Sequence, residues 1–287
     1  MLISTEIGTF AQDCGNEEAI RMLKEVGFTA YDFSMYELGE TFCLVYYDDY
    51  VEKAKKIRAV ADEVGIVCNQ THAPFPSYTT YDEKWNKDIG EYLRRALEVS
   101  GILGAKYCIV HPANHFSAKE NLEIVYKPLI PYCKQYGVKI AVENMWDWYY
   151  DEEKAKPCAC SLKEDFLEHM AILDKEWFVS CVDVGHAAMF FEHTTAHELL
   201  YDMRDTLECL HIHDNYLRCD NHLLPYDGCI DWEKVCETLG KIGYKGDITF
   251  EAGTGIRKRP LGLRKETARY MCAIGKYFAE RIKYYSK

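Results

Sequence analysis

Short β-type runs alternate with longer helix-type patterns along this whole chain, and no other feature constrains its fold as strongly. Eight strand–helix pairs can be distinguished, and glycines stand between helix and next strand, where helices usually end. Strict alternation in this number favours a closed parallel (β/α)8 barrel, and a doubly wound open sheet is the alternative. Because 287 residues suit one such barrel, we expect a single domain over residues 1–287.

The predicted elements follow from these patterns. The predicted strands cover residues 2–6, 29–33, 66–72, 107–111, 139–143, 178–183, 209–214 and 247–251. The predicted helices cover residues 17–26, 49–64, 82–103, 119–136, 162–173, 196–204, 232–241 and 263–282.

Each of the eight predicted strands has an acidic residue or a histidine at or near its end. These residues are Glu6, Asp32, His72, His111, Glu143, Asp183, His211 and Glu251. Any one of them could simply be a polar residue at the water boundary. Because the active sites of such barrels lie at the C-terminal ends of the strands, a set of eight indicates one functional ring.

The densest group of metal-capable side chains lies in residues 209–232, where the seventh predicted strand and the loop after it carry three histidines and several aspartates. Asp220 and His222 form a close pair in this loop. A second pair, Asp183 and His186, flanks a glycine after the sixth strand. Each pair alone is a weak signal, since a histidine in a loop is usually just solvated.

Composition limits the class of protein. The chain begins without a basic, apolar leader, and no apolar run approaches the roughly 18 residues that a membrane span needs, so we expect a cytoplasmic protein without a membrane partner. Thirteen scattered cysteines indicate reduced thiols. The net charge of −12, together with the absence of Lys and Arg from residues 34–52, which include Glu37 and Glu40, argues against a nucleic-acid partner.

Aromatic residues are concentrated in two of the loops at this end of the predicted barrel. Trp146 and Trp148 follow the fifth strand, and their rings could stack on a sugar or simply pack a lid or a subunit contact. Arg257 begins the one basic cluster on this face, which is either a substrate or phosphate contact or a solvated loop. A small sugar or polyol is therefore the expected partner, and a homo-oligomer stays open.

Along nearly its whole length the chain resembles the xylose-isomerase-like TIM barrels, a superfamily of sugar isomerases and epimerases that also holds endonuclease IV-type DNA-repair enzymes. The resemblance rests on an ordered set of motifs. These are Thr71-His72-Ala73-Pro74, Val110-His111-Pro112, Val142-Glu143-Asn144, Asp183-Val184-Gly185-His186, His211-Ile212-His213-Asp214, Asp220-Asn221-His222, Pro225 to Trp232, and Phe250-Glu251.

The resemblance implies a central divalent metal held by four residues, Glu143, Asp183, His211 and Glu251. Three carboxylates and one imidazole suit Mn²⁺, Mg²⁺ or Co²⁺, and Zn²⁺ also accepts such ligands. The endonuclease IV type uses nine ligands for three zinc ions, and all nine residue types occur here in order. The additional five, which in sugar enzymes can hold substrate hydroxyls instead, are His72, His111, His186, Asp220 and His222.

Three functions follow from these observations. The main prediction is a metal-dependent sugar, sugar-phosphate or inosose isomerase or epimerase in which Glu143 and Glu251 move a proton at the carbon next to a carbonyl. The alternative is a zinc-dependent endonuclease that cuts DNA at abasic sites. A sugar-binding protein or sensor without turnover is the third.

Overall fold

The ring of strands is closed in this protein. The computed structural model describes residues 1–36 and 43–287. Its strands are β1 Ile3–Thr5, β2 Ala30–Ser34, β3 Val67–His72, β4 Tyr107–Ile109, β5 Lys139–Glu143, β6 Asp147–Tyr149, β7 Lys154–Lys156, β8 Phe178–Asp183, β9 Leu207–His211 and β10 Ile248–Phe250.

Eight of the strands in the described residues, all except β6 and β7, pair in parallel around a barrel. Six form one sheet in the order β2, β3, β4, β5, β8 and β9, and β1 pairs with β10. Bridges between Glu6 and Asp32 and between Ile212 and Phe250 join the two sheets at both seams. The predicted (β/α)8 barrel is thereby confirmed, and the open sheet is rejected.

The helices cover the outside of the barrel or follow the strands at its carboxyl end. They are α1 Gly8–Cys14, α2 Asn16–Val26, α3 Tyr50–Val64, α4 Glu83–Leu103, α5 Ala118–Asn121, α6 Ile130–Tyr136, α7 Lys163–Ile172, α8 Val184–Ala188, α9 Ala196–Asp202, α10 Trp232–Lys241, α11 Gly253–Arg257 and α12 Leu261–Tyr285. The short helices α1, α8 and α11, each directly after a barrel strand, are absent from the predicted set.

The helix predicted over residues 119–136 is interrupted. A π-helical turn at Leu122–Tyr126 and a 3-10 turn at Lys127–Leu129 separate α5 from α6. Pro128 and Pro131 lie in this stretch, and a proline has no backbone N–H to donate to the preceding turn. The hydrogen-bond ladder of a regular α-helix cannot run through both positions.

Alternation along the strands separates the barrel interior from the helix-facing core. Ile109, Ala141, Val179, Cys181 and Cys209 form a small apolar cluster on one face of β4, β5, β8 and β9. Their neighbours on the same strands pack into the large cluster that includes the helices. Because side chains alternate with a period of two, the residue two positions after an interior one also points inward. On these four strands, the face that points into the barrel is therefore apolar below the carboxyl end.

Strands β6 and β7 form an antiparallel hairpin in the loop that follows β5. The aromatic segment predicted as a loop therefore includes a short strand, β6, and Trp148 is its middle residue. Among the described residues, no helix combines the length and the apolar character that crossing a membrane requires.

Candidate active site

The four implied metal ligands converge at the carboxyl end of the barrel. Glu143, Asp183 and His211 lie two residues after Ala141, Cys181 and Cys209, so the alternation of β5, β8 and β9 turns them inward.

With Glu251, which directly follows β10, they offer four ligand atoms within 4.8 Å of one another. His211 Nδ1 lies 2.7 Å from Glu143 Oε1 and 3.4 Å from Glu251 Oε2. The four residues come from three neighbouring strands and one strand-end loop, and their ligand atoms meet at one place in the barrel.

His72 and His111 extend this group on the side of Glu143. His111 Nε2 lies 2.9 Å from Glu143 Oε2 and 3.0 Å from His72 Nε2. The Nδ1 atom of His72 is 2.8 Å from the Ala73 carbonyl oxygen and donates to it, which leaves Nε2 facing Glu143. Both histidines are buried, so their imidazoles are fixed in the floor of the site.

A second cluster contains the Asp220–His222 pair seen in the sequence, the histidine of the other pair and one additional residue. His186, His213, Asp220 and His222 offer four ligand atoms within 4.8 Å of one another. Asp220 Oδ2 lies 2.8 Å from His222 Nε2 and 3.5 Å from His186 Nε2. The added residue, His213, is two positions after His211 on the same inward phase, and this alternation is the signal that could have identified it.

Backbone carbonyl groups orient the imidazoles of the second cluster. His186 Nδ1 lies 2.8 Å from the Asn144 oxygen, and His222 Nδ1 lies 2.5 Å from the Glu251 oxygen. A ring nitrogen that donates to a carbonyl leaves the other nitrogen free to accept or to ligate. In both residues Nε2 is therefore the nitrogen that faces Asp220.

Three buried polar atoms between the clusters fit a bound cation. Among the described residues, Asp183 Oδ2, Asp220 Oδ1 and His213 Nε2 have no hydrogen-bond partner. His213 Nε2 lies 3.1 Å from Asp183 Oδ1 and 3.2 Å from Asp220 Oδ1, but neither contact has hydrogen-bond geometry. Buried polar atoms are normally paired, so converging donors without partners are suited to a metal ion. The residues present fit a divalent cation.

The electrostatics of the site favour positive charge. Burial acts to raise the pKa of Glu143, but His211, His111 and His72 hold it well below its usual range. Burial raises the pKa of Glu251.

Burial would lower the pKa of His222, yet the adjacent Asp220 carboxylate raises it to about 10. Burial lowers the pKa of His111 to about 4. Buried carboxylates thus attract either protons on imidazoles or a cation.

Asp32 lies inside the barrel rather than at the end of its strand, because β2 continues to Ser34. Its Oδ2 atom lies 3.2 Å from His211 Nε2 and accepts a hydrogen bond of 2.9 Å from Gln70. Asp32 therefore holds the ring nitrogen of His211 that faces away from Glu143. Such a carboxylate fixes the orientation of a ligand imidazole.

Asp214 anchors the loop that carries Asp220 and His222. Its two carboxylate oxygens accept hydrogen bonds from the backbone N–H groups of Asn215, Tyr226 and Ile230 and from the indole N–H of Trp232. These contacts tie both ends of the loop to the first turn of α10. The loop is therefore anchored by a buried carboxylate whose two oxygens both accept hydrogen bonds, although the loop sequence has no regular pattern.

Gly185 permits the close approach of the two halves of the second cluster. A Cβ atom at this position would overlap the imidazole of His213. Asp183 caps the helix that follows, accepting a 2.6 Å hydrogen bond from the His186 backbone N–H. The Asp-Val-Gly-His sequence is therefore a structural unit that caps a helix, makes room for His213 and aims His186.

A cavity of about 590 Å³ opens above the two clusters. Its walls include the rings of Tyr36, Phe75, Tyr78, Phe116 and Trp146, and its floor includes Glu143, Glu251, His186 and Asp220. Arg257 also lines it. Among the described residues, those that line the cavity do not include Trp148. Its ring contacts that of Trp146 edge to face, with the ring centroids 6.2 Å apart.

The closed ring of strands and the cavity at their carboxyl ends define the class: a (β/α)8-barrel protein with a concave site at the usual face of that fold. The sequence matches the family described as xylose isomerase-like TIM barrel over residues 20–273, and the chain belongs to this family.

Relatives and solved structures agree with this assignment. The chain is 26% identical to an uncharacterized protein, y4fM, of Sinorhizobium fredii, over 83% of this chain and 81% of that protein. A D-tagatose 3-epimerase-like protein superposes with a TM-score of 0.76 at 21% identity, covering 100% of both chains. An L-ribulose 3-epimerase superposes with a TM-score of 0.74 at 15% identity, covering 99% of this chain and 96% of that one. At these identities the structural likeness concerns the fold.

Proposed function

We propose that this protein is a metal-dependent sugar isomerase or epimerase that moves a proton at the carbon next to a carbonyl. One observation carries the proposal: the carboxylates of Glu143 and Glu251 reach the same atom, His211 Nδ1, from positions separated by the two strands β8 and β9. Two carboxylates that approach one point from different sides can serve as base and acid on one substrate. The similarity to an L-ribulose 3-epimerase and to a protein described as D-tagatose 3-epimerase-like supports epimerisation.

Residues of this chain would divide the work as follows. Glu143, Asp183, His211 and Glu251 would hold a divalent cation, which supplies electrostatic stabilisation of the negative charge that develops on the carbonyl oxygen. One glutamate accepts the proton from the neighbouring carbon, and the other returns a proton to the opposite face or to the next carbon. The first outcome is epimerisation and the second is aldose–ketose isomerisation.

The second cluster would bind and orient the substrate. His186 Nε2 and His222 Nε2 face the cavity floor and are held by backbone carbonyl groups, so each presents a defined donor or acceptor. Rings such as Trp146 offer apolar faces for the C–H groups of a sugar. A cavity of about 590 Å³ lies within the range of small-molecule sites.

The test combines a metal analysis with a substrate panel. Protein purified without chelator should contain at least one divalent cation per chain, and it should convert at least one ketose or inosose, with activity lost on chelation and restored by Mn²⁺, Mg²⁺, Co²⁺ or Zn²⁺. Stable metal-free protein that still turns over a sugar contradicts the metal-dependent proposal. No turnover of any sugar by fully loaded protein contradicts the enzymatic one and favours a binding protein.

A zinc-dependent endonuclease is the second candidate, because three groups of potential ligands lie at the cavity floor as that class requires. The surrounding charge argues against it. Residues 34–52 contain no Lys or Arg, and a DNA backbone gripped there would meet repulsion. Two acidic residues of that stretch, Glu37 and Glu40, lie outside the described residues.

We therefore expect no incision of a duplex that contains an abasic site at physiological salt, even when the protein is fully loaded with zinc. A gel assay with labelled duplex measures this directly, and binding should be weak and salt-sensitive at most. Three zinc ions per chain together with efficient cleavage would overturn the sugar proposal.

A further inference from the structure

A polar group on one wall of the cavity lies outside the two metal-capable clusters. At its centre is Glu6, which follows β1 and lines the cavity, although only 4% of its surface is exposed. Its Oε1 atom accepts a 2.5 Å hydrogen bond from the Thr9 hydroxyl, and its Oε2 atom accepts one of 3.1 Å from the Ser34 hydroxyl. These neutral donors fix the carboxylate in one orientation.

Arg257 joins this group from the other end of the chain. Its Nη1 atom donates a 3.1 Å hydrogen bond to the Thr9 hydroxyl, which in turn donates to Glu6. A Cβ atom at Gly253 would lie 2.5 Å from Thr9 Oγ1, 3.1 Å from Glu6 Oε1 and 3.4 Å from Arg257 Nη1. The three polar groups therefore converge on the space that the missing side chain leaves open.

Glu6 and Arg257 are not an ion pair with each other. Among the described residues, no Lys, Arg or His nitrogen lies within 4.0 Å of the Glu6 carboxylate. By contrast, Asp147, another carboxylate of the cavity wall, lies 2.9 Å from Lys156 Nζ. Among the described residues, the cavity thus keeps one carboxylate acceptor without a salt bridge and one guanidinium donor side by side, joined through the Thr9 hydroxyl.

Such a pair matches two adjacent hydroxyl groups. One hydroxyl donates to the carboxylate while its neighbour accepts from the guanidinium, and both interactions are charge-assisted. A phosphate group has no proton to offer Glu6 near neutral pH and would bring negative charge against it, next to Asp220 and Glu251 in the same cavity. This part of the wall therefore favours a neutral sugar over a sugar phosphate.

We propose that Glu6 and Arg257 form a subsite for the vicinal hydroxyl groups of an unphosphorylated sugar, with Thr9 as the residue that positions both. This inference deepens the proposed function and rests on it for the assumption that the ligand is a sugar. It makes Glu6 a specificity-determining residue that discriminates against sugar phosphates.

Binding of compounds that cannot react separates this subsite from catalysis. The probes are D-mannitol and D-mannitol 1-phosphate, which have no carbonyl group, titrated calorimetrically into metal-loaded protein. Wild type should bind the neutral polyol at least about tenfold more tightly than the phosphate. Glu6→Gln should weaken mannitol binding by about 10- to 100-fold and reduce the discrimination against the phosphate, because it removes the charged acceptor.

Arg257→Gln should weaken mannitol binding as well, without improving binding of the phosphate. The matched control is Glu280→Gln on the exposed side of α12, which should leave both affinities unchanged. Should Glu6→Gln fail to fold, as judged by thermal unfolding, the wild-type discrimination and Arg257→Gln still decide the matter.

Tighter binding of the phosphate by wild type overturns the inference, as does an unchanged Kd for mannitol in both variants, or no binding of either compound. Failure of the proposed function looks different. Mannitol binding that depends on Glu6, without turnover of any ketose or inosose, leaves the subsite standing and removes only the catalytic proposal.

Discussion

Replacing Glu143 by Gln should abolish stable cation binding and lower kcat/KM by about 10²- to 10⁴-fold, the range expected when a positioned acid or base is lost. Glu143 contacts His111 as well as His211, so it connects the four implied metal ligands to the neighbouring pair His72 and His111. An amide keeps the shape of the side chain but not its charge. Asp183→Asn, His211→Ala and Glu251→Gln should likewise lower metal occupancy or turnover.

The fold should survive these changes. In the metal-free protein, His211, His111 and His72 hold the pKa of the Glu143 carboxyl well below its usual range, so the charged side chain stabilises the folded state and an amide loses part of these contacts. We therefore expect the metal-free Glu143→Gln variant to unfold cooperatively, but at a lower temperature than wild type.

Metal-dependent stabilisation distinguishes a lost ligand from a lost fold. Wild type should gain about 2.7 kcal/mol of unfolding free energy when the cation is present at about 100 times its Kd, and the variant should gain much less. Thermal unfolding with and without cation measures this, and Glu280→Gln is the matched control. Full metal content and full activity in Glu143→Gln would show that the site assignment is wrong.

The position of the site at the carboxyl end of the strands could be predicted because it follows from local sequence. Glu143, Asp183 and His211 each close an apolar run, and the two-residue period of a strand then determines their direction. His213 obeys the same period and lies in the predicted seventh strand, but the ligand set that the resemblance implies does not include it. Asp32 is predicted at the rim but lies deeper, because β2 continues to Ser34, beyond the end of the predicted strand.

Contacts between distant parts of the chain could not be predicted in this way. Arg257 meets Thr9 across 248 positions of sequence, and the contact exists only because the closed barrel brings β1 beside β10. The break at Pro128 and Pro131 was predictable in kind, since proline interrupts a helix, but the apolar periodicity of residues 119–136 masked it. Features set by local sequence could therefore be predicted, whereas contacts that depend on closure of the barrel could not.

The proton-transfer chemistry makes its own prediction about isotopic labelling. When an accepted ketose or inosose turns over in D₂O, the product should carry solvent deuterium at the carbon next to the carbonyl. A carboxylate that accepts a proton from carbon exchanges it with water before or during its return, because carboxylic protons exchange rapidly. Hydride transfer between neighbouring carbons, the competing mechanism, leaves that carbon unlabelled. Mass spectrometry or NMR of the product distinguishes the two.

Variants connect the label to particular residues. Glu251→Gln should stop both deuterium incorporation and turnover, lowering kcat by about 10²- to 10⁴-fold. His186→Ala should chiefly raise KM and leave labelling per turnover unchanged, because His186 lies at the cavity floor with its Nδ1 held by the Asn144 carbonyl and is assigned to a substrate hydroxyl. Turnover without deuterium uptake in wild type would exclude proton transfer, and with it the roles assigned to both glutamates.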